Sequence, residues 1–463
     1  MKENKYKYLV KNTGFLAISS FSSRILVFLL VPFYTSILST SEYGIFDLAS
    51  TTAQLLMPIL TLNIYEGVTR FLMQEENDPK SIISVGMKYI TIGSVLFAFF
   101  ILINSLFKIM PMFLGYEGLL FLYYVSNLFY QFSVQCAKGL EMVKYMGTAG
   151  VISTFVTIVA NILLLAVCEM RLKGFFLSYI LGQGIAAIYL SRKVQLYKYL
   201  NFHIEISLQN KIISYSVPLI LNTIGWWINN VSDRYIVTWL CGVSVNGIYS
   251  VAYKIPSILS TFQAIFTQSW QISAIKEYKR EGYKKFYTDM LEVINFIVSI
   301  ACMFLILLTR LIAKILYSKE FYEAWEFVPF LLLATVFSSA AGMVGPILSA
   351  KNDTKILGSS TLLGALSNVL LNIVLIKKLG TQGAAVATAI SSFLIFEFRY
   401  MAVKDEFDNI NLKKIVGLWI IISIQCLLMI EGYAYGAQIL LIILALLIYK
   451  KSVSQIVKKI IFR

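Results

Sequence analysis

Long apolar runs separated by short polar segments dominate this chain. Fourteen can be read off, at 14–38, 43–72, 85–107, 112–136, 146–169, 174–191, 213–240, 247–275, 290–316, 326–350, 356–376, 383–400, 415–430 and 435–449. A run of about 20 apolar residues is long enough to cross about 30 Å of hydrocarbon as a helix. None shows the period-2 alternation of a barrel strand, so each predicts a helix whose backbone groups are satisfied within the span.

The pattern also repeats. Residues 137–164 (AKGLEMVKYMGTAGVISTFVTIVANILL) align without a gap on 348–375 (LSAKNDTKILGSSTLLGALSNVLLNIVL), 211 positions later. Lys144/Lys355, Gly147/Gly358 and Asn161/Asn372 fall in register. One such match can arise by chance in apolar sequence. A second pair, Tyr43–Ala49 over Asn246–Ala252 at an offset of 203, follows in the same order and argues for duplication. Two copies of one helical unit in a membrane chain point to a transporter. The expected architecture is all-α and integral to the membrane, with about 14 transmembrane helices. An N-lobe at 1–191 holds spans 1–6, and a cytoplasmic linker covers 192–212. A C-lobe at 213–402 holds spans 7–12, and residues 403–463 form a C-terminal helix pair and a basic tail. Six is even, so both lobes enter the membrane in the same sense, and the repeat is parallel with a pseudo-two-fold axis along the membrane normal.

Composition agrees. The 463 residues are 58% hydrophobic and 14% charged, with a mean hydropathy of +0.73, well outside the range of soluble domains. Met1–Lys11 is polar and basic, and no cleavable signal is apparent. An even number of spans puts both termini on one side. The basic tails (Lys2, Lys5, Lys7, Lys11; Lys450, Lys451, Lys458, Lys459, Arg463) assign that side to the cytoplasm. The net charge of +15 then reads as a topological signal. Its scatter among short loops does not suit nucleic acid. The basic segment 276–285 either lies against anionic headgroups or is a solvated loop.

Catalytic chemistry has little to stand on. The cysteines Cys136, Cys168, Cys241, Cys302 and Cys426 have no metal or redox spacing, and His203 is the only histidine. No loop is large enough to carry a catalytic platform, and no phosphate-binding glycine-rich motif is present. We therefore expect a non-enzyme without cofactor, driven by an H+ or Na+ gradient, a partner or consumption of its product.

Charges within the spans carry the functional information, because each costs roughly 2.5–3.5 kcal/mol at a helix centre and usually faces a cavity or a partner. Arg24 lies about 15 Å into span 1, where it either lines an aqueous cavity or joins a structural ion pair. Asp47 in span 2, Asp233 and Arg234 in span 7 and Lys254 in span 8 fall in the outer half of the membrane. The repeat pairs Asp47 with Ser250 and Lys254 with Thr51, so these charges are not symmetric. They either serve an anionic substrate or neutralise one another. Glu66 and Arg70 are spaced for an intrahelical salt bridge, and Glu397 with Arg399 near the end of span 12 is open to both readings. Asp47, Glu66 and Asp233 are the candidates for ion coupling. Asn161 and Asn372 suit inter-helix hydrogen bonding or glycan contact. Trp226 and Trp227 sit deeper than an interfacial belt requires, as core packing or as a stacking surface for a sugar ring.

Arg24 followed by Val31-Pro32-Phe33-Tyr34 and Ser41-Glu42-Tyr43-Gly44, then Pro218 with Asp233-Arg234 and Asn246-Gly247-Ile248-Tyr249, and the run from Asn372 to Gly380–Thr388, together resemble the Wzx-type oligosaccharide translocase family. That family lies within the multidrug/oligosaccharidyl-lipid/polysaccharide exporter superfamily. The motifs span most of residues 1–400. The resemblance implies an alternating-access flippase of the bacterial cytoplasmic membrane, moving oligosaccharide on undecaprenyl diphosphate for O-antigen, capsule or exopolysaccharide. It implies Arg24, Arg234 and Lys254 as cations for the diphosphate. The expected partners are the lipid-linked oligosaccharide and membrane lipids, with a polysaccharide polymerase and a chain-length regulator as further candidates. Two alternatives stay open: a peptidoglycan lipid-precursor flippase and a cation-coupled multidrug exporter of the same superfamily.

Overall fold

The computed structural model describes residues 28–74, 78–199, 205–432 and 435–461. Among them every regular element is helical. The first seven helices are α1 (Val31–Ile37), α2 (Thr40–Leu60), α3 (Ile64–Leu72), α4 (Pro79–Phe107), α5 (Glu117–Gly139), α6 (Val143–Asn161) and α7 (Arg171–Val194). They are followed by α8 (Ile206–Cys241), α9 (Val243–Ala252), α10 (Lys254–Glu277), α11 (Tyr283–Leu316), α12 (Val328–Ala350), α13 (Thr354–Leu379), α14 (Gln382–Val403), α15 (Leu412–Ile430) and α16 (Tyr435–Ile461). Each apolar run falls on helix, the first over its described end, and the runs 43–72 and 247–275 are each divided between two helices.

Among the described residues eight helices are long and apolar enough on their own to cross a bilayer: α4, α6 with its continuation to Val167, α7, and α11 to α15. Helices α2 and α3 meet the same standard together, as one span bent by 63°. Helices α5, α8 and α10 hold 23, 36 and 24 residues, about 35 to 54 Å at 1.5 Å per residue. Their apolar stretches are interrupted by Asn127, Asn229, Asp233 and Gln263. A helix this polar must turn one stripe toward protein or water.

The bend between α2 and α3 has an identifiable cause. Pro58 lies within α2, and Leu62 and Asn63 both take φ of +52°. The Asn63 N–H donates to the Pro58 carbonyl at 2.7 Å and the Leu62 N–H to the Ile59 carbonyl at 3.4 Å. That pair of bonds is the Schellman closure, which ends a helix on a left-handed residue. At the other end of α2, Ser39 and Glu42 exchange side-chain-to-backbone bonds in a capping box. Arg171 then grips Glu42 with two bonds of 2.9 and 2.8 Å. The Ser41-Glu42-Tyr43-Gly44 motif thus places a helix start.

By packing, the chain divides into two compact units, Met1–Trp227 and Ile228–Arg463, with the boundary inside α8. The first half of α8 belongs to the first unit because it nests on α3: a Cβ on Gly67 would stand 2.3 Å from Ser216 Oγ. In the second unit α15 is bound to α11, where Trp419 Nε1 donates to Asn295 Oδ1 at 2.9 Å and Gln425 to the Met303 carbonyl at 3.0 Å.

The duplicated segment performs the same task in each unit. In the first, Asn161 donates to the carbonyl of Thr157 at 3.0 Å, and Gly174 of α7 packs against Leu164, whose carbonyl would lie 3.0 Å from an added Cβ. In the second, Asn372 donates to the carbonyl of Asn368 at 2.8 Å, and Gly383 of α14 packs against Leu375. Thr157 aligns with Asn368 and Leu164 with Leu375 in the sequence repeat. A Cβ on Gly383 would fall 2.3 Å from the Leu375 backbone, a contact that no side-chain rotation can relieve. Gly383→Ala is therefore expected to destabilise the protein by about 1–3 kcal/mol. Gly358→Ala, with nothing within 4 Å, should leave stability unchanged or slightly raised. Melting curves of the two purified variants will separate them.

Candidate functional site

Span 7 carries a carboxylate that lipid would not tolerate alone, and partners in the second unit surround it. Asp233 on α8 is 2% exposed. Its Oδ2 accepts the hydroxyl of Tyr249 at 2.7 Å and that of Tyr253, while Oδ1 accepts the Arg234 backbone N–H at 2.9 Å. Tyr249 and Tyr253 are four apart where α9 passes into α10, so both hydroxyls reach one point. The Arg234 guanidinium lies over the Tyr253 ring, 5.2 Å from its centroid, a cation–π contact worth roughly 0.5–2 kcal/mol. It is also within electrostatic reach of the Asp233 carboxylate. Lys254, next in sequence to Tyr253, is half-buried at the start of α10.

Two of the expected site residues, Asp233 and Arg234, thus meet at one tyrosine pair, and Lys254 follows it in the sequence. Arg24 lies outside the described residues. Asp47, 7% exposed, belongs to the first unit, where it is within electrostatic reach of Tyr123.

Glu66 and Arg70 do not form the bridge their spacing predicts. Gln135 of α5 intervenes: its Nε2 donates to Glu66 at 3.2 Å while its Oε1 accepts from Thr69 at 2.9 Å. Arg70 is exposed. An amide can serve both polar groups of α3 at a helix contact, whereas an exposed ion pair is worth little.

Trp226 is 53% exposed. The Trp227 indole N–H donates to the Thr51 carbonyl at 3.0 Å and so ties α8 to α2 within the first unit. Asn161 and Asn372 are 1% and 0% exposed, with their amides directed to backbone carbonyls of their own helices. Around Asn372, Asn368 accepts from Ser232 at 3.2 Å and donates to Ser391 at 3.2 Å and Thr388 at 3.4 Å. This network joins α8, α13 and α14. Among the described residues no group of three His, Cys, Asp or Glu side chains converges on a metal position.

The residues that sequence reasoning missed are mostly neutral partners: Gln135, Tyr249, Tyr253, Asn368 and Ser391. Only the four-residue spacing of the tyrosines gave a usable signal.

The chain has relatives. A family model described as polysaccharide biosynthesis protein matches residues 9–271. The chain is 24% identical over 210 residues to the probable low-salt glycan biosynthesis flippase Agl15 of Haloferax volcanii, and the match spans 42% of this chain and 44% of that protein. Among solved structures, the lipid II flippase MurJ in an inward closed conformation superposes with a TM-score of 0.72 at 15% identity, over 97% of this chain and 99% of that one. An inward-facing multidrug resistance MATE family transporter of the MOP superfamily gives 0.69 at 12% identity, over 84% and 98%. A MOP superfamily transporter from Pyrococcus furiosus gives 0.60 at 13% identity, over 86% and 96%. The chain shares their all-helical membrane transporter fold.

The Asp233 cluster makes its own expectation. Tyr249→Phe removes a hydrogen bond to a buried charge and should cost about 1.5–3 kcal/mol. Asp233→Asn keeps an acceptor for the two hydroxyls and should cost less than Asp233→Leu, which strands both. In the first unit, Arg70→Ala should fall within about 0.5 kcal/mol of wild type, whereas Gln135→Leu should destabilise measurably. Thermal unfolding of the purified variants reads all five.

Proposed function

The chain belongs to the polysaccharide biosynthesis protein family, and from that membership we propose that it is a flippase for a lipid-linked oligosaccharide. The observation that carries this reading is the family match across residues 9–271. Similarity to a protein described as a probable glycan biosynthesis flippase and the fold shared with a lipid II flippase support it. No group of catalytic character is needed for such a task, and we read the protein as a carrier, not an enzyme.

The physical difficulty is to bring a polar glycan and its anionic headgroup past hydrocarbon. Cations held within the protein lower that barrier, and arginine suits phosphate oxygens through its planar fork of donors. Arg234 and Lys254 are the described candidates in this proposal, with Arg24 a third. Asp233 is the best placed of the three carboxylates for ion coupling. Protonating it would weaken its hold on Tyr249 and Tyr253 and leave the Arg234 guanidinium without its adjacent anion. A proton gradient could then set how strongly Arg234 attracts a headgroup. In this reading the protein works by alternating access in the bacterial cytoplasmic membrane, with both termini in the cytoplasm, upstream of a polymerase.

Removing the protein from its host should make a lipid-linked oligosaccharide accumulate on the cytoplasmic face and lower surface polysaccharide. Loss of peptidoglycan precursor export would assign the activity to that lipid. Altered drug resistance with unchanged glycan would assign it to drug export. At matched protein levels, Arg234→Ala and Lys254→Ala should each reduce polymer output by about tenfold, equivalent to 1.4 kcal/mol in the transport barrier. Wild-type output from both would remove the cationic pathway.

A further inference from the structure

The basic segment 276–285 folds into the wall of a groove. The end of α10 and the start of α11 enclose a cavity of about 350 Å³, with Ser273, Lys276, Glu277, Glu281, Tyr283 and Phe286 in its lining. That volume is in the range of small-ligand sites. Its aromatic wall is fixed from behind. The Tyr283 hydroxyl donates to Glu406 Oε2 at 2.8 Å, and Lys351 Nζ holds Oε1 of the same carboxylate at 3.1 Å. Phe286 packs on the buried Trp270 with ring centroids 5.6 Å apart. Beside it the Tyr287 hydroxyl donates to the Ala274 carbonyl at 2.6 Å and ties α11 back to α10.

By net charge alone the segment suits an anionic lipid surface, since it carries five cations and two carboxylates. The fold distributes them unevenly. Both carboxylates line the cavity, and of the five cations only Lys276 does. Lys279 lies over the Tyr278 ring, 5.5 Å from its centroid, and Arg280 bridges Glu277 at 3.0 Å. Lys284 and Lys285 are exposed on α11. Lys276 and Glu281 join none of the ion pairs among the described residues. With Glu277 offset by Arg280, the cavity presents one cation and one carboxylate to an occupant. A purely anionic headgroup would be drawn to the first and repelled by the second.

The groove also opens at the depth of headgroups. Along α10, Phe262, Ile265 and Ile272 are 56%, 42% and 57% exposed. Their spacing puts them on one face with Lys276. Such a face is solvated by acyl chains, and a lysine at its end reaches the phosphate level by snorkelling. On the other side of the groove, Tyr283 and Phe286 belong to the first turn of α11, itself long and apolar enough to span the membrane.

We propose that this groove binds a membrane lipid whose headgroup joins a phosphate to a primary ammonium. Lys276 takes the phosphate and Glu281 the ammonium, while the acyl chains run along Phe262, Ile265 and Ile272. A primary ammonium offers three N–H donors to a carboxylate; a quaternary one offers none. The proposal goes beyond the carrier reading and does not rest on it, because it needs only a chain that spans the membrane.

Native mass spectrometry of the purified full chain tests this, with phosphatidylethanolamine, phosphatidylglycerol and phosphatidylcholine of identical acyl chains as probes. Wild type should retain phosphatidylethanolamine about tenfold better than either of the others, the worth of one charge-assisted hydrogen bond. Glu281→Gln should abolish most of that preference, and Glu281→Lys should turn it toward phosphatidylglycerol. Lys276→Gln should weaken retention of phosphatidylethanolamine severalfold. Both side chains are exposed, so the variants should melt with wild type, and a lost preference then reports the groove and not the fold. Equal retention of phosphatidylethanolamine and phosphatidylcholine, a wild-type preference for phosphatidylglycerol, or a phosphatidylethanolamine preference untouched by Glu281→Gln overturns the proposal.

Discussion

In hydrocarbon a polar group has no water to fall back on, and a partner within the chain is what lowers its cost. That constraint explains why Asn161 and Asn372 turn to carbonyls of their own helices, and why Gln135 spreads its amide over Glu66 and Thr69. It explains the convergence of two tyrosine hydroxyls on Asp233. Helix contacts in the membrane gain little from apolar burial, since lipid tails are as apolar as leucine. Close backbone approach at Gly174 and Gly383, together with these polar bonds, is what specifies which helices meet.

The duplication shows what each unit requires and where the two part company. Both keep the asparagine back-bond and the glycine contact. After Asn161 the first unit passes into a π-helical turn over Ile162–Val167, whereas α13 runs on as a regular helix past Asn372. The charges diverge too. Asp47 aligns with Ser250 and Thr51 with Lys254, and the Asp233–Tyr249–Tyr253 cluster belongs to the second unit. Shared residues maintain the scaffold, and unshared ones set the chemistry.

Much of this was legible in the chain itself. Helices α11 to α14 followed from apolar length alone, because a span nearly uniform in hydrophobicity has only one stable state in a bilayer. The motif beginning at Ser41 read as a family signature, and its local meaning is a helix cap. What stayed hidden were partnerships set by tertiary geometry. The spacing of Glu66 and Arg70 suggested a pair, yet Gln135 arrives from 69 residues away to take the carboxylate. Arg399 was visible as a charge. Its neutral setting was not, since the Ser360 and Thr361 hydroxyls and the Ala341 carbonyl to which it donates come from two other helices. The bend after Leu60 needs leucine in a left-handed conformation, for which no sequence signature exists.

The polarity of α8 also bears on how the protein is made. Asn229 and Ser232 find their partners on α13, 132 and 136 residues further along. At about 5–20 residues per second, a ribosome needs roughly 7 to 27 seconds to supply them. Through that interval a helix carrying Asn229, Ser232 and Asp233 has left the ribosome without its eventual neighbour. The bonds between α8 and α13 can form only once α13 has been made, so this contact is a late addition during synthesis.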